Sequence, residues 1–417
     1  MLNLSKNRQL KKLWELWTLI RWVSYKKQDL LPQYKDWCIS LLRANNIQET
    51  LDLSDLQYLP TWYIKEEQVL EENDVLFCMS SGSSHLVGKN IKLPHLDNFS
   101  FGAFCSIFRL NDEGLIDSDY LSHYLHSRFY SDYITNIARG AGINNLRNSD
   151  LESLPIPLPP LEEQKKIVAY LDELNATISK LKSEYQSQLV MLYEMRNSSL
   201  DLAFWGSRER AYNLNSWKWV KLGEVCEIIW WGTPKTDVLE YRNNGTIRRA
   251  TPTDLGKVWE ITSISTTEKY ITELGLKSSS AKILPKGAVL FSSRASIGKI
   301  AISETELSTN QWFANFVCGE NIQNTFLAYV LLYFTENIVV LSNSTTFKEV
   351  SKWSLKEFEI PLPDLETQSQ IVSHLDQVHQ QIITLKSQVN SQIEHCDELW
   401  QSSLEKVLTQ GVNKEFN

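Results

Sequence analysis

The sequence has 417 residues, of which 42% are hydrophobic and 22% are charged, and its formal net charge at pH 7 is −8. A chain of this length can bury a sizeable core and is expected to form two or three domains. The six cysteines form no CxxC pair, the N-terminus has no signal-peptide pattern, and no apolar run approaches the about 18 residues of a membrane span, which together predict a cytoplasmic protein with reduced thiols.

Residues 1–155 are predicted to form a first mixed α/β globule. Short runs of β-branched and aromatic residues are separated by Gly, Ser, Asn and Pro, a pattern that is typical of strands joined by tight loops. Three polar stretches stand out: "LLRANNIQ" at Leu41–Gln48, "NDVLFCMSSGSSHLVGK" at Asn73–Lys89 and "GINNLRNSDL" at Gly142–Leu151.

Residues 156–205 are predicted to form an extended lead-in and one long helix. The proline-rich lead-in cannot be helical, and after it apolar residues recur at alternating steps of four and three. This heptad spacing predicts a helix of about 40 residues, on the order of 60 Å long, that buries an apolar seam in a coiled coil. The predicted seam residues of this helix are Ile167, Leu171, Leu174, Ile178, Leu181, Tyr185 and Leu192.

After a polar linker at residues 206–216, the chain repeats this organisation. Residues 217–359 are predicted to form a second mixed α/β globule. The polar stretches recur there more faintly, as "IRRATPTDL" at Ile247–Leu255, "GAVLFSSRASIGK" at Gly287–Lys299 and "TTFKEVSKWSL" at Thr345–Leu355. The second lead-in begins at Ile360, 204 residues after the first at Ile156. This period is far too long for a solenoid and indicates two copies of one whole module.

Residues 360–408 repeat the lead-in and the long helix, and residues 409–417 form a tail. The match is without gaps between "IPLPPLEEQKKIVAYLD" at Ile156–Asp172 and "IPLPDLETQSQIVSHLD" at Ile360–Asp376. The predicted seam residues of the second helix are Ile371, Leu375, Val378, Ile382, Leu385, Val389 and Leu399.

The matched length and seam of the two helices predict that they pack against each other. We expect an antiparallel coiled coil that relates the two globules by a pseudo-two-fold axis. A glutamine falls at the same seam position in both helices, Gln188 and Gln392, where it is expected to fix the register. The alternative is two helices of ordinary bundles that never meet. The predicted fold class is α+β.

Acidic side chains are concentrated near the C-terminus. Residues 356–417 carry 4 basic and 10 acidic side chains, whereas residues 217–355 carry 15 basic and 13 acidic ones. Net charge governs nonspecific attraction and does not decide whether a local groove binds DNA. The overall charge therefore predicts weak DNA affinity for the chain alone without excluding a DNA site.

The order globule, helix, globule, helix, with "LPIPLPPLEEQKKIVAYLD" and "FEIPLPDLETQSQIVSHLD" opening the helices, resembles the specificity subunit of type I restriction–modification systems. Three stretches of the second globule are similar to the target recognition domain of that family: "ATPTDLGKV", "TEKYITELGLKSSSAKILPKGAVLFSSRASIGKIAI" and "TNQWF". The resemblance extends from about Leu41 to Leu408. The chain departs from the family pattern in two places. The first 40 residues lack the opening motif that Trp219–Pro234 supplies to the second globule, and Trp312 stands where the family usually has a glycine after Asn-Gln.

This resemblance implies a subunit without catalytic activity or cofactor. Each target recognition domain would read one half of a split DNA target, and the helices would hold the two domains apart. Two methylase subunits and restriction subunits of the same system would dock on it. The sequence agrees, because it has no GxGxxG after a strand, no GxxxxGK[ST] and no Asn-Pro-Pro-aromatic tetrad. No metal site is predicted either, since the close pair His123 and His126 lacks the other ligands of a zinc set.

Candidate DNA contacts are the polar and basic side chains at equivalent loops of the two globules. Arg, Asn and Gln can read base edges in the major groove, whereas Lys, Ser and Thr contact phosphates. In the first globule they are Arg43, Asn45, Asn46, Ser81, Ser83, Ser84, Lys89, Asn144, Asn145 and Arg147. In the second they are Lys235, Arg249, Thr251, Thr253, Ser292, Ser293, Arg294, Ser296, Lys299, Asn310, Gln311, Thr346 and Lys348. Because the two sets differ, the target is expected to be asymmetric.

Three other interpretations follow from the same sequence. A single-chain enzyme with built-in specificity would carry a methylase or nuclease motif. A coiled-coil scaffold that binds only proteins would show no sequence-dependent DNA binding, even beside partner subunits. A specificity subunit of a related system, which only methylates or cuts differently, would share every feature described above.

Overall fold

The computed structural model describes residues 8–83, 86–111, 114–141, 145–204, 217–230, 232–235, 237–342 and 349–409, with the backbone alone for 138–141. Their contacts divide the chain into two units. The first unit is Met1–Tyr185 together with Ser391–Asn417, and the second is the continuous segment Gln186–Asn390. Each unit therefore holds one globule and parts of both long helices.

The globule of the first unit is built from short strands and short helices. The strands are β1 (Gln9–Lys12), β2 (Trp17–Arg21), β3 (Cys38–Leu42), β4 (Gln57–Pro60), β5 (Val75–Cys78), β6 (Asn90–Lys92), β7 (Phe99–Phe101), β8 (Cys105–Leu110) and β9 (Pro155–Leu158). The helices are α1 (Ser118–Leu125), α2 (Arg128–Ala141), α3 (Asn148–Glu152) and the long α4 (Leu161–Phe204), which begins here. One sheet has the order β2-β8-β5-β6, a second has the order β4-β3-β7, and β1 pairs with β9.

The globule of the second unit follows the same plan. Its strands are β10 (Lys218–Lys221), β11 (Cys226–Ile229), β12 (Ile247–Ala250), β13 (Ile261–Ile264), β14 (Lys269–Ile271), β15 (Val289–Ser292), β16 (Ile300–Ser303), β17 (Ser308–Thr309), β18 (Phe313–Cys318) and β19 (Glu359–Leu362). Its helices are α5 (Leu222–Val225), α6 (Glu273–Lys277), α7 (Asn324–Tyr333), α8 (Thr335–Val340), α9 (Lys352–Glu357) and the long α10 (Leu365–Thr409). The sheets have the orders β11-β18-β15-β16-β13, β14-β12-β17 and β10-β19.

The two globules share one topology. The central strand of each three-stranded sheet pairs antiparallel on one side and parallel on the other: β3 with β4 and β7, and β12 with β14 and β17. In each larger sheet, a fully buried strand ("VLFC" in β5, "VLFS" in β15) lies between two antiparallel neighbours, as expected for short continuous apolar runs. The second globule adds β13 at the sheet edge, parallel to β16. The predicted α+β class and the duplicated module are confirmed.

From Gln9 to Arg21, the chain folds like the start of the second globule, although it lacks the opening motif of that globule. Strand β1 pairs with β9 as β10 pairs with β19, and both β1 and β10 lead into a buried leucine, Leu13 and Leu222. The corresponding sequence signal is the shared Lys-Leu-x-Glu of "KLWEL" at Lys12–Leu16 and "KLGEV" at Lys221–Val225. This short match could have located β1 and β2 from the sequence.

Within the first unit, the start of α4 and the end of α10 run antiparallel. Near the start of α4, Ile167 and Leu171 share a core cluster with Leu404 of α10. Farther along α4, Lys182 forms an ion pair with Asp397, which precedes Leu404. The two helices therefore run in opposite directions.

The second unit repeats this arrangement with the helices exchanged. Here the start of α10, at Ile371 and Leu375, shares a core cluster with Phe204 at the end of α4. Farther along α10, burial and then the positive charge of Arg196 lower the pKa of His379, so these two side chains are neighbours. The long helices thus pack antiparallel in each unit. Among the described residues, no helix is both long and apolar enough to cross a membrane.

The predicted seam is correct only in part. Leu181, Leu385 and Leu399 keep exposed fractions of 36%, 43% and 52%, and Gln188 and Gln392 are also exposed, so these positions do not form a closed seam. The physical reason is that the deeply buried seam positions at the helix starts enter a globule core, which covers more of a side chain than one neighbouring helix does. The buried seam residues are Ile167, Leu171, Ile178, Ile371, Leu375, Ile382 and Val389, and the partly buried ones are Leu174, Tyr185, Leu192 and Val378.

A buried glutamine joins each long helix to its globule. The side-chain amide of Gln164 donates to the carbonyls of Leu115 and Pro159 at 3.1 and 2.8 Å, and its oxygen accepts from the Asp117 N–H at 2.8 Å. Gln368 makes the equivalent three bonds in the second unit, all at 2.9 Å. Both glutamines are fully buried. Each bonds to three backbone groups, and the bonds to the Pro159 and Pro363 carbonyls are themselves buried.

A buried arginine holds the last turn of α10 in the first unit. The Arg8 guanidinium donates to the carbonyls of Val407 and Leu408 at 2.7 and 2.9 Å and forms an ion pair with Glu163 at 2.9 Å. The last carbonyls of a helix have no partner within the helix, and the C-terminal end of a helix favours a positive charge. Arg8 therefore provides both a cap and charge complementarity for α10.

Candidate nucleic-acid interface

In each globule, the loops at one edge of the sheets bring together the polar stretches singled out from the sequence. In the second globule, this edge lies where β12, β15 and β17 end and β18 begins. We call the loops at this edge the second platform, which comprises residues 251–256, 293–299, 310–312 and 349–350. The first platform comprises the equivalent residues 43–55, 79–83 with 86–89, 102–104, and 145–146.

Hydrogen bonds between loops hold the second platform together. The Ser293 N–H donates to the Trp312 carbonyl at 2.8 Å, and the Ser293 carbonyl accepts from the Val350 N–H at 3.0 Å. The ammonium of Lys299 donates to the Pro252 carbonyl at 2.8 Å. The loop after β15 is thereby tied to the three other loops of the platform.

The first platform has the same backbone connections. The Met79 N–H donates to the Phe104 carbonyl at 2.7 Å, and the Leu146 N–H donates to the Met79 carbonyl at 2.8 Å. The Gly102 N–H donates to the carbonyl of Leu42 at 2.8 Å, which joins this loop to the end of β3. The two platforms are therefore the same scaffold carrying different side chains.

A glycine is required at one equivalent turn of each platform. Gly88 and Gly298 have φ values of 85° and 100°, in the left-handed region that other residues rarely adopt. A Cβ there would lie 2.8 Å from Cγ2 of Ile134 and 2.5 Å from Cγ2 of Thr335, respectively. These glycines fix the turns that place the following lysines, both of which are platform residues.

Two of the predicted DNA contacts instead hold turns of the platforms. The N–H of Arg43 donates to Oδ1 of Asn46 at 2.7 Å, and the N–H of Thr251 donates to Oδ2 of Asp254 at 2.7 Å, in the same three-residue cap. Asn46 is fully buried, and the hydroxyl of the buried Thr251 also donates to Asp254. Burial and turn bonds thus engage the polar atoms of Asn46 and Thr251 in this structure.

Four further predicted contacts are buried in the second globule. Arg249 lies within β12, where burial and the neighbouring charge of Arg242 lower its pKa. Ser292, Ser293 and Asn310 are also buried, and each bonds to backbone groups of the platform. Strand pairing or loop bonding keeps these four side chains away from solvent in this structure.

The other described candidates lie on or beside the platforms with part of their surface free. The exposed ones are Asn45, Ser83, Asn145, Arg147, Lys235, Thr253, Ser296 and Gln311, and the partly exposed ones are Arg43, Ser81, Lys89, Arg294 and Lys299. The candidates Ser84, Asn144, Thr346 and Lys348 lie outside the described residues.

Each platform carries a guanidinium held by a carboxylate. Nη2 of Arg43 lies 2.8 Å from Oδ2 of Asp55, which also accepts from Nδ2 of Asn45 at 2.9 Å. On the second platform, Nη2 of Arg294 lies 2.9 Å from Oε2 of Glu349. A partly exposed guanidinium can pair with guanine or phosphate, and the carboxylate orients it while no nucleic acid is bound.

Each platform also carries an exposed aromatic side chain at the same place. Phe104 precedes β8 and Trp312 precedes β18, and each accepts a backbone hydrogen bond from the loop after the buried central strand. Trp312 was predicted only as a departure from a family pattern, and Phe104 was not predicted. Both residues directly precede a strand at the end of a short loop, "GAF" at Gly102–Phe104 and "NQW" at Asn310–Trp312, and this shared position is the signal that could have identified both.

The two histidines of the close pair bond to different partners. Nε2 of His123 lies 2.9 Å from a carboxylate oxygen of Asp172, whereas Nδ1 of His126 bonds to the Ser122 carbonyl at 2.7 Å. Among the residues that the structure describes, no group of His, Cys, Asp and Glu side chains could hold a metal ion.

The chain thus consists of two copies of one unit, each with a globule, a platform and a long helix. Comparison with known families identifies the class of protein to which it belongs. The model of the family "Type I restriction modification DNA specificity domain" matches the chain twice, at residues 23–189 and 215–395. The chain belongs to this family.

Relatives along most of the chain are specificity subunits. The chain is 30% identical over 409 residues to the type I restriction enzyme StySPI specificity subunit of Salmonella potsdam, with 93% of this chain and 86% of the relative covered. It is 28% identical over 407 residues to the EcoKI specificity subunit of Escherichia coli K12, with the same coverage.

Solved structures share the fold. A chain from a study of complex assembly and conformational transition of the type I R-M system has a TM-score of 0.77 at 22% identity, covering 98% of this chain and 99% of that one. The HsdS subunit from Thermoanaerobacter tengcongensis has a TM-score of 0.56 at 22% identity, with 99% of both chains covered. At these identities the likeness concerns the fold alone.

Proposed function

We propose that this chain is the DNA specificity subunit of a type I restriction–modification system. Residues 1–155 and 217–359 act as two target recognition domains, and each reads one half of a split target with its platform. The segments 156–205 and 360–408 supply the spacer helices. The observation that carries this proposal is that two platforms with equivalent backbone hydrogen bonds carry different exposed side chains, which suits a target with two unlike halves.

The chemistry of such a system is assigned to other subunits. The chain itself is non-catalytic and binds no cofactor, while methylase subunits and restriction subunits dock on it. The exposed groups of the platforms include donors and cations suited to base edges and phosphates. Because its target is chromosomal and invading DNA, we place the subunit in the cytoplasm.

Sequencing of methylated adenines tests this proposal. In cells that express the chain with the methylase subunits of its system, we expect a motif of two short, unlike half-sites separated by a nonspecific gap. The purified chain alone should transfer no methyl group from S-adenosylmethionine and cut no DNA. Methyl transfer by the isolated chain, or a motif without a gap, would refute the proposal.

The Arg294–Glu349 pair predicts opposite effects of two substitutions on DNA binding. Arg294→Ala removes the guanidinium, so we expect a tenfold to hundredfold weaker affinity and relaxed specificity in one half-site, as for loss of a base contact of about 1–3 kcal/mol. Glu349→Gln removes a carboxylate that holds Arg294 and repels phosphates, so affinity should rise several-fold. Fluorescence anisotropy of the assembled complex with a duplex carrying the mapped target measures both.

A second exposed ion pair of the same unit provides the matched control. Nζ of Lys221 lies 2.6 Å from Oε2 of Glu357, outside the platform. Lys221→Ala and Glu357→Gln change the net charge in the same way and should leave DNA affinity and the motif unchanged. Equal effects at both pairs would mean that only net charge matters and that Arg294 does not contact the target.

A further inference from the structure

The aromatic side chains of the two platforms are exposed although their backbones are held rigidly. Phe104 and Trp312 keep exposed fractions of 60% and 39%. The carbonyl of Phe104 accepts from the N–H groups of Met79 and Ser80 at 2.7 and 3.3 Å, and that of Trp312 accepts from Ser293 at 2.8 Å. Each ring is therefore presented to solvent from a fixed position and not from a mobile loop.

Phe104 also adopts a costly backbone conformation. Its φ of 70° lies in the left-handed region, which disfavours a residue with a bulky side chain. The exposed ring recovers little of that cost through burial. Strain that the surrounding structure maintains is characteristic of functional positions, so the fold retains this phenylalanine for something other than its own stability.

The aromatic positions are next to the polar groups of the same platforms. A Cβ on Gly102, two residues before Phe104, would lie 3.4 Å from Cγ of Arg43, so this loop packs directly against that arginine. On the second platform, Gln311 precedes Trp312 and accepts a hydrogen bond from Thr233. Each ring thus belongs to a surface that also offers hydrogen-bond donors.

We propose that Phe104 and Trp312 are specificity-determining residues, each making an apolar contact with the C5-methyl group of a thymine in its half-site. This inference rests on the proposed function. The thymine methyl group is the apolar feature that the major groove offers to a protein. An exposed ring among donors and cations can recognise it while the neighbouring side chains bond to the polar edges of adjacent bases.

Replacing thymine by deoxyuridine, which lacks only this methyl group, tests the contact. In the complex with methylase subunits, deoxyuridine at one thymine of each half-site should weaken binding about fourfold, the value of one buried methyl-sized group. In the complex with Phe104→Ala, deoxyuridine in the half-site read by the first platform should no longer weaken binding. In the complex with Trp312→Ala, the same should hold for the half-site read by the second platform. Anisotropy titrations with singly substituted duplexes measure the affinity of each complex for each duplex.

Two kinds of variants separate recognition from folding. Phe104→Gly relieves the left-handed strain, so it should raise the melting temperature of the subunit while it weakens target binding, which a purely structural role would not do. Trp62→Ala and Trp219→Ala remove other exposed aromatic side chains outside the platforms and should leave the deoxyuridine effect intact.

Several results would overturn this inference while leaving the proposed function in place. They are a mapped half-site without thymine in either strand, deoxyuridine effects that persist in the alanine variants, and alanine variants that weaken binding without any coupling to deoxyuridine. The last result would indicate a wedge between bases in place of methyl recognition. Failure of the proposed function itself would differ, because no split motif would then be found.

Discussion

Gln164→Leu is expected to lower the free energy of unfolding of the first unit by about 1–3 kcal/mol, the cost of a buried polar group left without its hydrogen-bond partner. Leucine fills a similar volume but removes the bonds to the N–H of Asp117 and the carbonyls of Leu115 and Pro159, and the Pro159 bond is fully buried. Thermal unfolding followed by circular dichroism measures the loss, and hydrogen exchange should show an unprotected Asp117 amide.

Gln368→Leu should have the same effect on the second unit, because the glutamine bonds to Gln323, Asn321 and Pro363 in the same pattern. The matched controls are Gln188→Leu and Gln392→Leu, which make the same chemical change at exposed positions of the same two helices. Surface changes of this kind usually stay within about 0.5 kcal/mol. If all four variants melted alike, the buried glutamines would not be the joints that their hydrogen bonds indicate.

Arg8→Met is expected to destabilise the first unit by about 3–5 kcal/mol, the range found when one partner of a buried ion pair is removed. The side chain of Arg8 has no exposed surface, and its loss removes the donor to the carbonyls of Val407 and Leu408 and the ion pair with Glu163. The effect should be local at first. The end of α10 should exchange its amides and be cleaved by protease faster than the rest of that helix.

Lys11→Met provides the control for Arg8→Met. Lys11 forms an ion pair with Glu15, four residues on, and both side chains are partly exposed. Pairs of this kind contribute about 0.2–1 kcal/mol, so hydrogen exchange at the end of α10 should not change. Equal exchange in wild type and Arg8→Met would show that apolar packing alone holds this turn.

The fold could be predicted to a large extent because the sequence contains two copies of the same module. The heptad spacing and the repeated lead-in identified both long helices, and the repeat also marked Gln164 and Gln368 as identical. Their role was not predictable, because the loops that supply their partners are far away in sequence. The burial of Leu181 and Leu385 was overestimated for a related reason: periodicity gives the face of a helix but not what covers it.

The candidate site was predicted at the level of loops and less well at the level of side chains. Ser, Thr and Asn use the same hydrogen-bonding groups to close a turn as to contact DNA, so the composition of a loop could not separate Asn46 and Thr251 from Asn45 and Thr253. Phe104 was not predicted because polar and basic side chains alone were expected to contact DNA, although base edges also carry apolar groups.

The chain segments that make up the two units have a consequence for folding during synthesis on the ribosome. The second unit is one continuous segment, Gln186–Asn390, whereas the first needs residues from Ser391 onward. Its core includes Leu404, Val407 and Leu408, which emerge roughly 250 residues after the first globule, a delay on the order of 10–50 s at usual rates of translation.

During that delay, the first globule lacks the apolar side chains that close its core. The second unit has its last residue at Asn390, 14 residues before Leu404, so it is complete while the first still lacks them. A chain truncated after Asn390 should therefore resist protease in its second unit and not in its first. Domains of most proteins finish folding in the order in which they are made. Here the half that is synthesised first becomes complete last.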